Sequence, residues 1–297
     1  MGAAALALGG QNVALMPWGG LGTPAMLAAR AAAIARWVSE DDARPDVLAI
    51  QEAFWKAGGK AAHDALVDGA VRNGAYGEAV RTKEHNSGLV TLLSTRCKRA
   101  EGFAPAFVPF RVTGPEACIL RKGVLTCVVD VGGARVVVAN AHLQSDLWFD
   151  GRGARVDQIR DVGRELARAR GWCLAQGEGA PPYAGAVLLG DLQADAGSEE
   201  YRDMLASLAD ALGGTRAVDA TDGLGHAYPS GKAFDRASNT FVPHTPTMRS
   251  DFALVFSPDP VRVDSAALTD RWIGAEAGVL SDHRGLACSV TFGADGA

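Results

Sequence analysis

The sequence predicts an α/β sandwich: two β-sheets stacked face to face with helices outside, forming one domain over residues 1–297. Three observations carry this reading. Strand-like runs recur along the chain, and several are apolar throughout, so both of their faces require cover. Helical periodicity appears between only some of those runs. Each half of the chain holds a strand, a helix and an acid at a strand end, so the halves read as pseudo-symmetric, with a site where they meet.

The elements follow in order. "NVALMPW" (12–18) reads as the first strand, with Asn12 at its head. Ala25–Ser39 is alanine-rich, with Ile34 and Val38 at helical spacing. "DVLAIQEAF" (46–54), "SGLVTLLS" (87–94), "GVLTCVVDV" (123–131) and "ARVVVANAH" (134–142) read as strands. In Arg155–Cys173, the residues Val156, Ile159, Val162 and Leu166 mark one helical face. "AVLLGD" (186–191) is an unbroken apolar run, after which Gly190 releases the chain and Asp191 enters the loop. Ser198 is a helix N-cap, and Tyr201, Met204, Leu205, Leu208 and Leu212 form the stripe of that helix. Residues 214–248, rich in Gly, Pro, Asn and His, read as a long loop of the functional kind. "DFALVFS" (251–257) and "GLACSVTF" (285–292) complete the strands.

Bulk properties narrow the class. The composition, 48% hydrophobic and 21% charged, is that of a globular chain. Its 29 basic and 34 acidic residues give a net charge of −5, whereas duplex-binding proteins carry a basic footprint; nucleic acid is therefore disfavoured as a partner. Cys97, Cys118, Cys127, Cys173 and Cys288 lack the paired spacing of a zinc site and read as free buried thiols, with a Cys118–Cys127 pairing across neighbouring strands as the alternative. No apolar stretch approaches the ~20 residues of a membrane span. "MGAAALALGG" lacks the basic flank of a signal peptide, so the default expectation is a cytoplasmic monomer, with secretion open.

The chemistry lies in polar residues at strand ends. Glu52 follows one apolar strand, Asn140 and His142 end another, Asp191 and Gln193 a third, and Asp282–His283 precede the last. One such residue alone is a solvated loop acid or a satisfied histidine. Together they form a set that the fold gathers. Carboxylates brought together raise one another's pKa unless a cation holds them, and oxygen donors with few thiols favour Mg²⁺, Ca²⁺ or Mn²⁺ over zinc.

Asn12, "IQEAF", "NAHLQSD", "GDLQ", "RSDFALV" and "SDHRG", in this order, resemble the endonuclease/exonuclease/phosphatase superfamily of metal-dependent phosphoesterases. "RKGVLTCVV", "SEEYRDMLASL" and "FDRASN" resemble its sphingomyelinase C branch. The resemblance implies a DNase I-like four-layer α/β sandwich: two stacked, mostly antiparallel sheets with outer helices. It implies Mg²⁺ as cofactor, with Mn²⁺ or Co²⁺ as substitutes, in a site drawn from Glu52, Asn12, Asp191, Asp282 and His283. Glu52 matches the principal ligand and Asn12 its neighbour. His283 matches the general base, Asp251 the carboxylate that orients it, and Asp191 the residue that positions water. His142 and Asp282 match groups near the scissile phosphate. Lys122 is a phosphate contact or a solvated turn lysine. Gln193 departs from the family's Gly-Asp-Leu-Asn, keeping the amide one methylene further out, which either shifts the site or impairs turnover.

The implied reaction is hydrolysis of sphingomyelin to ceramide and phosphocholine by in-line attack of water. A nuclease, an inositol-phosphate phosphatase and a catalytically impaired binding module are the alternatives. The implied partner is a phospholipid at a membrane surface, touched peripherally by Trp272–Ile273 and Trp148–Phe149 unless those pairs plug the core. The Trp272 segment is favoured, because bacterial sphingomyelinases carry an aromatic membrane-touching hairpin at a similar place.

Overall fold

The computed structural model describes residues 4–15, 23–40, 44–56, 59–82, 86–114, 120–146, 150–224, 228–229, 234–235, 240–241, 246–269, 273–274 and 278–293. Its main elements begin with β1 (Ala4–Asn12), α1 (Pro24–Glu40), β2 (Val47–Gln51), α2 (Lys60–Arg72), β3 (Glu78–Arg81) and β4 (Val90–Leu93). Then come β5 (Lys98–Arg99), β6 (Ala106–Pro109), β7 (Gly123–Val131), β8 (Ala134–His142), α3 (Arg152–Leu174), β9 (Tyr183–Asp191) and α4 (Glu199–Ala211). The chain closes with β10 (Ala217–Asp219), β11 (Asp251–Phe256), β12 (Val261–Thr269) and β13 (Gly285–Phe292).

One sheet has the order β12-β13-β1-β2-β4-β3, the other β10-β11-β9-β8-β7-β5, with β6 also on β7. The pairings are antiparallel except β1 with β2 and β8 with β9. A parallel pair requires a crossover, and α1 and α3 are those crossovers. Each half therefore contributes one strand–helix–strand unit, which is the pseudo-symmetry legible in the sequence.

Three apolar layers hold the sandwich together. Leu6, Leu8, Val47 and Ala49 of the first sheet meet Val129, Val138, Val187 and Leu189 of the second between the sheets. Leu27, Ile34 and Leu66 of α1 and α2 cover the outer face of the first sheet at Leu48, Ile50 and Leu92. Ile159, Val162, Leu166, Met204 and Leu208 of α3 and α4 cover the second at Val137, Ala139 and Leu188. Alternate residues of β9 thus enter different layers, which is why that strand is apolar on both faces. Each of its fully buried leucines contributes roughly 1.5–3 kcal/mol.

Several sequence expectations are corrected. The first strand runs over 4–12, and of the expected 12–18 run residues 13–15 are not strand while 16–18 lie outside the described residues, so Asn12 ends the strand instead of heading it. An Ala/Gly-rich run has weak strand propensity, and its alternation is carried by Leu6 and Leu8 alone. Gly190 does not release β9, which continues to Asp191. A Cβ at Gly190 would lie 2.0 Å from the Ala141 carbonyl oxygen, so glycine there permits the close approach of β8. The 214–248 segment is not wholly loop: β10 joins the second sheet, and Tyr228–Pro229 pairs with Pro246–Met248 and Phe234–Asp235 with Thr240–Phe241. Ser198 caps α4 as read, its Oγ accepting the Tyr201 N–H at 3.0 Å. Cys97, Cys127, Cys173 and Cys288 are free and buried, and Cys118 lies outside the described residues. Among the described residues no helix is long and apolar enough to cross a membrane.

Candidate active site

The topology carries the polar strand ends to one edge of the sandwich. In the second sheet β9 lies between β8 and β11, and the register places both His142 and Asp251 opposite Asp191. In the first sheet Asn12 pairs with Gln51, so Glu52 emerges one residue beyond it. The turn before β13 adds Ser281, Asp282 and His283, all buried. The structure therefore brings together Asn12, Glu52, Lys122, His142, Asp191, Gln193, Asp251, Asp282 and His283.

Asn12 ties the two sheets. Its Nδ2 donates to Glu52 Oε1 at 3.1 Å and to Asp191 Oδ2 at 3.2 Å, while its Oδ1 accepts the Ala14 N–H at 3.0 Å. Across the site His283 Nδ1 lies 2.8 Å from Asp251 Oδ2. An N–H at Nδ1 leaves Nε2 directed at Asp191, whose Oδ2 is 3.8 Å away. Ser281 fixes the turn by donating to the Asn12 carbonyl at 2.6 Å and accepting the His283 N–H at 3.1 Å. On the other flank His142 Nε2 lies 3.7 Å from Asp191 Oδ2. Lys122 Nζ is 3.1 Å from the same imidazole nitrogen and donates to the Leu143 carbonyl at 2.6 Å. Lys122 is 4% exposed, which rules out the solvated turn lysine.

Gln193 takes an unforeseen position. Its side-chain amide folds back and donates to Asp191 Oδ2 at 2.6 Å, and its backbone N–H reaches Asp191 Oδ1 at 3.2 Å. The residue is left-handed, at φ 56°, as are Glu52 at 59° and Ala14 at 47°. Non-glycine residues in this region cost roughly 1 kcal/mol or more and cluster where geometry is over-determined.

The charges are strongly coupled. Burial lifts the Asp191 carboxyl above the usual range, and the neighbouring Asp251 charge lifts it further. Burial works to lower His283, but Asp251, Asp191 and Asp282 outweigh it and hold the imidazolium up to about 10. A fully buried Arg30 from α1 also faces the site. Burial lowers its guanidinium to about 10 against the pull of Asp282 and Glu52. Sequence reasoning missed Arg30, although a cation on the apolar stripe of Leu27, Ala31, Ile34 and Val38 was the available signal.

The donor set suits a hard divalent cation. It consists of carboxylates and imidazole without thiolate, and Asp191, Asp251 and His283 offer ligand atoms within 4.8 Å of one another. Of the expected membrane residues, Trp148, Phe149 and Trp272 lie outside the described residues. Ile273 is described by its backbone alone, in a short strand paired with Gly278–Val279.

A two-sheet sandwich with these groups at its edge defines a phosphodiesterase-like hydrolase. The chain belongs to the Endonuclease/Exonuclease/phosphatase family, to which residues 18–283 match. Members of this family are generally dependent on divalent metals. Among solved structures the chain is similar to truncated Caenorhabditis elegans TDP2, with a TM-score of 0.63, 20% identity, and coverage of 97% of this chain and 98% of that one. It is similar to sphingomyelinase C from Streptomyces griseocarneus, with a TM-score of 0.61, 19% identity, and coverage of 96% and 99%. It is also similar to SmcL, with a TM-score of 0.63, 16% identity, and coverage of 97% and 98%. At these identities the likeness establishes the fold. No curated protein sequence matches the chain.

Proposed function

We propose that this protein hydrolyses phosphodiesters by in-line attack of water, and that its substrate is a choline phospholipid of the sphingomyelin type. The observation that carries the reaction is the buried Asp251–His283 dyad, in which Nδ1 meets Asp251 and Nε2 is directed at Asp191. In this reading Asp251 holds the tautomer, Asp191 orients the water, and His283 Nε2 takes its proton. The attack forms one P–O bond and breaks the P–O bond to the lipid alcohol, whose alkoxide takes a proton from solvent water as it leaves, while His283 returns its proton to solvent. Lys122 sets a positive charge beside the phosphate oxygens.

Glu52, Asp191 and Asp282 are the residues that would hold a divalent cation. When bound, such a cation would neutralise charge on the phosphate oxygens and on these carboxylates, and His283 would act as the base in its neutral form.

Two things support the lipid over a nucleic acid: the sphingomyelinase-like stretches around Lys122 and α4, and the net charge of −5; the fold itself is shared with sphingomyelinase C and TDP2 alike. The fold shared with TDP2, one structure of which holds a single-strand DNA product, makes a nuclease the second reading. In this proposal Trp272–Ile273 and Trp148–Phe149 are the peripheral membrane contacts. The test is release of phosphocholine from sphingomyelin vesicles against cleavage of a DNA oligonucleotide, each with Mg²⁺ and with EDTA. Mg²⁺-dependent phosphocholine release with intact DNA is expected; the converse pattern would replace the lipid reading with the nuclease.

A further inference from the structure

We propose that Arg30 is a positioning residue of this site, acting through the Ala14 backbone on the side-chain amide of Asn12. The inference rests on the reading of Asn12 as part of the active site, and it explains how that amide is held.

The links are short and buried. Arg30 Nη2 donates to the Ala14 carbonyl at 2.6 Å. The Ala14 N–H donates to Asn12 Oδ1 at 3.0 Å. Asn12 Nδ2 then serves Glu52 and Asp191 together. Arg30, Asn12 and Ala14 are each no more than 1% exposed, so water does not compete along the path.

Each link answers a specific physical problem. An asparagine amide has two orientations related by a flip, and only one places its NH₂ against the acids. The flipped form would set Oδ1 against Glu52 and Asp191, acceptor facing acceptor. The Ala14 N–H selects the correct form by donating to Oδ1. Ala14 itself sits at φ 47°, a left-handed conformation disfavoured for alanine by roughly 1–2 kcal/mol, so its backbone needs to be held. Arg30 holds the next peptide, Ala14–Leu15, by its carbonyl and so fixes the Ala14 backbone from its C-terminal side. The buried guanidinium also places its charge within reach of Glu52 and Asp282.

A purely structural arginine would anchor α1 and leave Asn12 undisturbed. The two roles separate in the Arg30→Met variant, which keeps an unbranched apolar stem without donors or charge. The first readout is the Asn12 side-chain amide in ¹H–¹⁵N NMR spectra, assigned by its loss in Asn12→Asp. In folded R30M we expect its solvent exchange to accelerate at least about tenfold and its shifts to move. The second readout is a Mn²⁺ titration. Affinity should fall about tenfold in R30M, as for loss of a group supporting metal ligands, and R30M/N12A should bind no more weakly than N12A alone. Should R30M not fold, Arg30→Gln, shorter and without charge, serves in its place with the same expected direction. Unaltered Asn12 signals in whichever variant folds would overturn the proposal. If the wild-type protein binds no Mn²⁺, the metal-dependent reading falls, and the Asn12 signal still decides the role of Arg30.

Discussion

Replacing Asn140 with alanine should be among the most destabilising single changes in this protein. Asn140 is fully buried on β8, facing the first sheet, and its amide joins the two sheets. Its Nδ2 donates to the Ile50 carbonyl at 3.1 Å and the Val90 carbonyl at 3.0 Å, and its Oδ1 accepts the Gln51 side-chain N–H at 2.8 Å. Alanine removes all three hydrogen bonds from a fully buried position. Each buried group deprived of a partner costs about 1–3 kcal/mol, and partial relaxation brings the total to roughly 3–5 kcal/mol. Gln51 immediately precedes Glu52, so the loss should also loosen the left-handed backbone that aims this carboxylate. Urea unfolding followed by tryptophan fluorescence, wild type against N140A, measures the difference. A loss below about 1 kcal/mol would refute the reasoning, because it would mean that the inter-sheet amide is replaced at little cost.

Three further expectations follow from the site and its surroundings. Gln193→Asn shortens the amide that now reaches Asp191 at 2.6 Å; if the site is built around glutamine, turnover on the preferred phosphodiester falls about tenfold or more, whereas unchanged or raised turnover would show that the family asparagine suffices. Glu52→Gln keeps an acceptor for Asn12 but removes a charge, so Mg²⁺ affinity by calorimetry should drop at least about tenfold at near-native stability, and undiminished affinity would remove Glu52 from the metal site. Burial works to raise the Asp219 carboxyl, but hydrogen bonds from Arg249, Thr221 and Tyr201 hold it below its ordinary 3.8. The stability it contributes is therefore fully present above that value and is lost as pH falls through the lower folded one. The urea-stability gap between wild type and D219N should accordingly close below about pH 4, and a gap constant from pH 7 to pH 3 would contradict this.

Much of the site was legible because its residue types sit where burial is costly. A carboxylate ending an apolar strand, as at Asp191, or following one, as at Glu52, needs a chemical reason, and the reason is visible without knowing the partner. The partners themselves were not legible. Arg30 reaches Ala14 across the gap between α1 and the end of β1, and Asn140 reaches Ile50 and Val90 across the two sheets. Such pairings depend on tertiary geometry that no local pattern encodes. The same limit explains the misplaced first strand: the alternation of Leu6 and Leu8 is masked by alanine and glycine, residues selected by close packing, as at Gly9, where a Cβ would lie 2.8 Å from Pro45. The edge strand β12, largely exposed, carried no apolar run to detect. The fold of Gln193 back onto Asp191 depends on a left-handed backbone that glutamine does not advertise.

The most direct test of the central claim, attack of water on phosphorus driven by the Asp251–His283 dyad, is hydrolysis of sphingomyelin vesicles in ¹⁸O-labelled water by wild type and His283→Ala. The account expects one ¹⁸O atom in the released phosphocholine, none in the ceramide, and a rate in H283A lower by roughly 10²–10⁴ while the variant stays folded. Label in the ceramide hydroxyl, or an H283A rate near that of wild type, would contradict it.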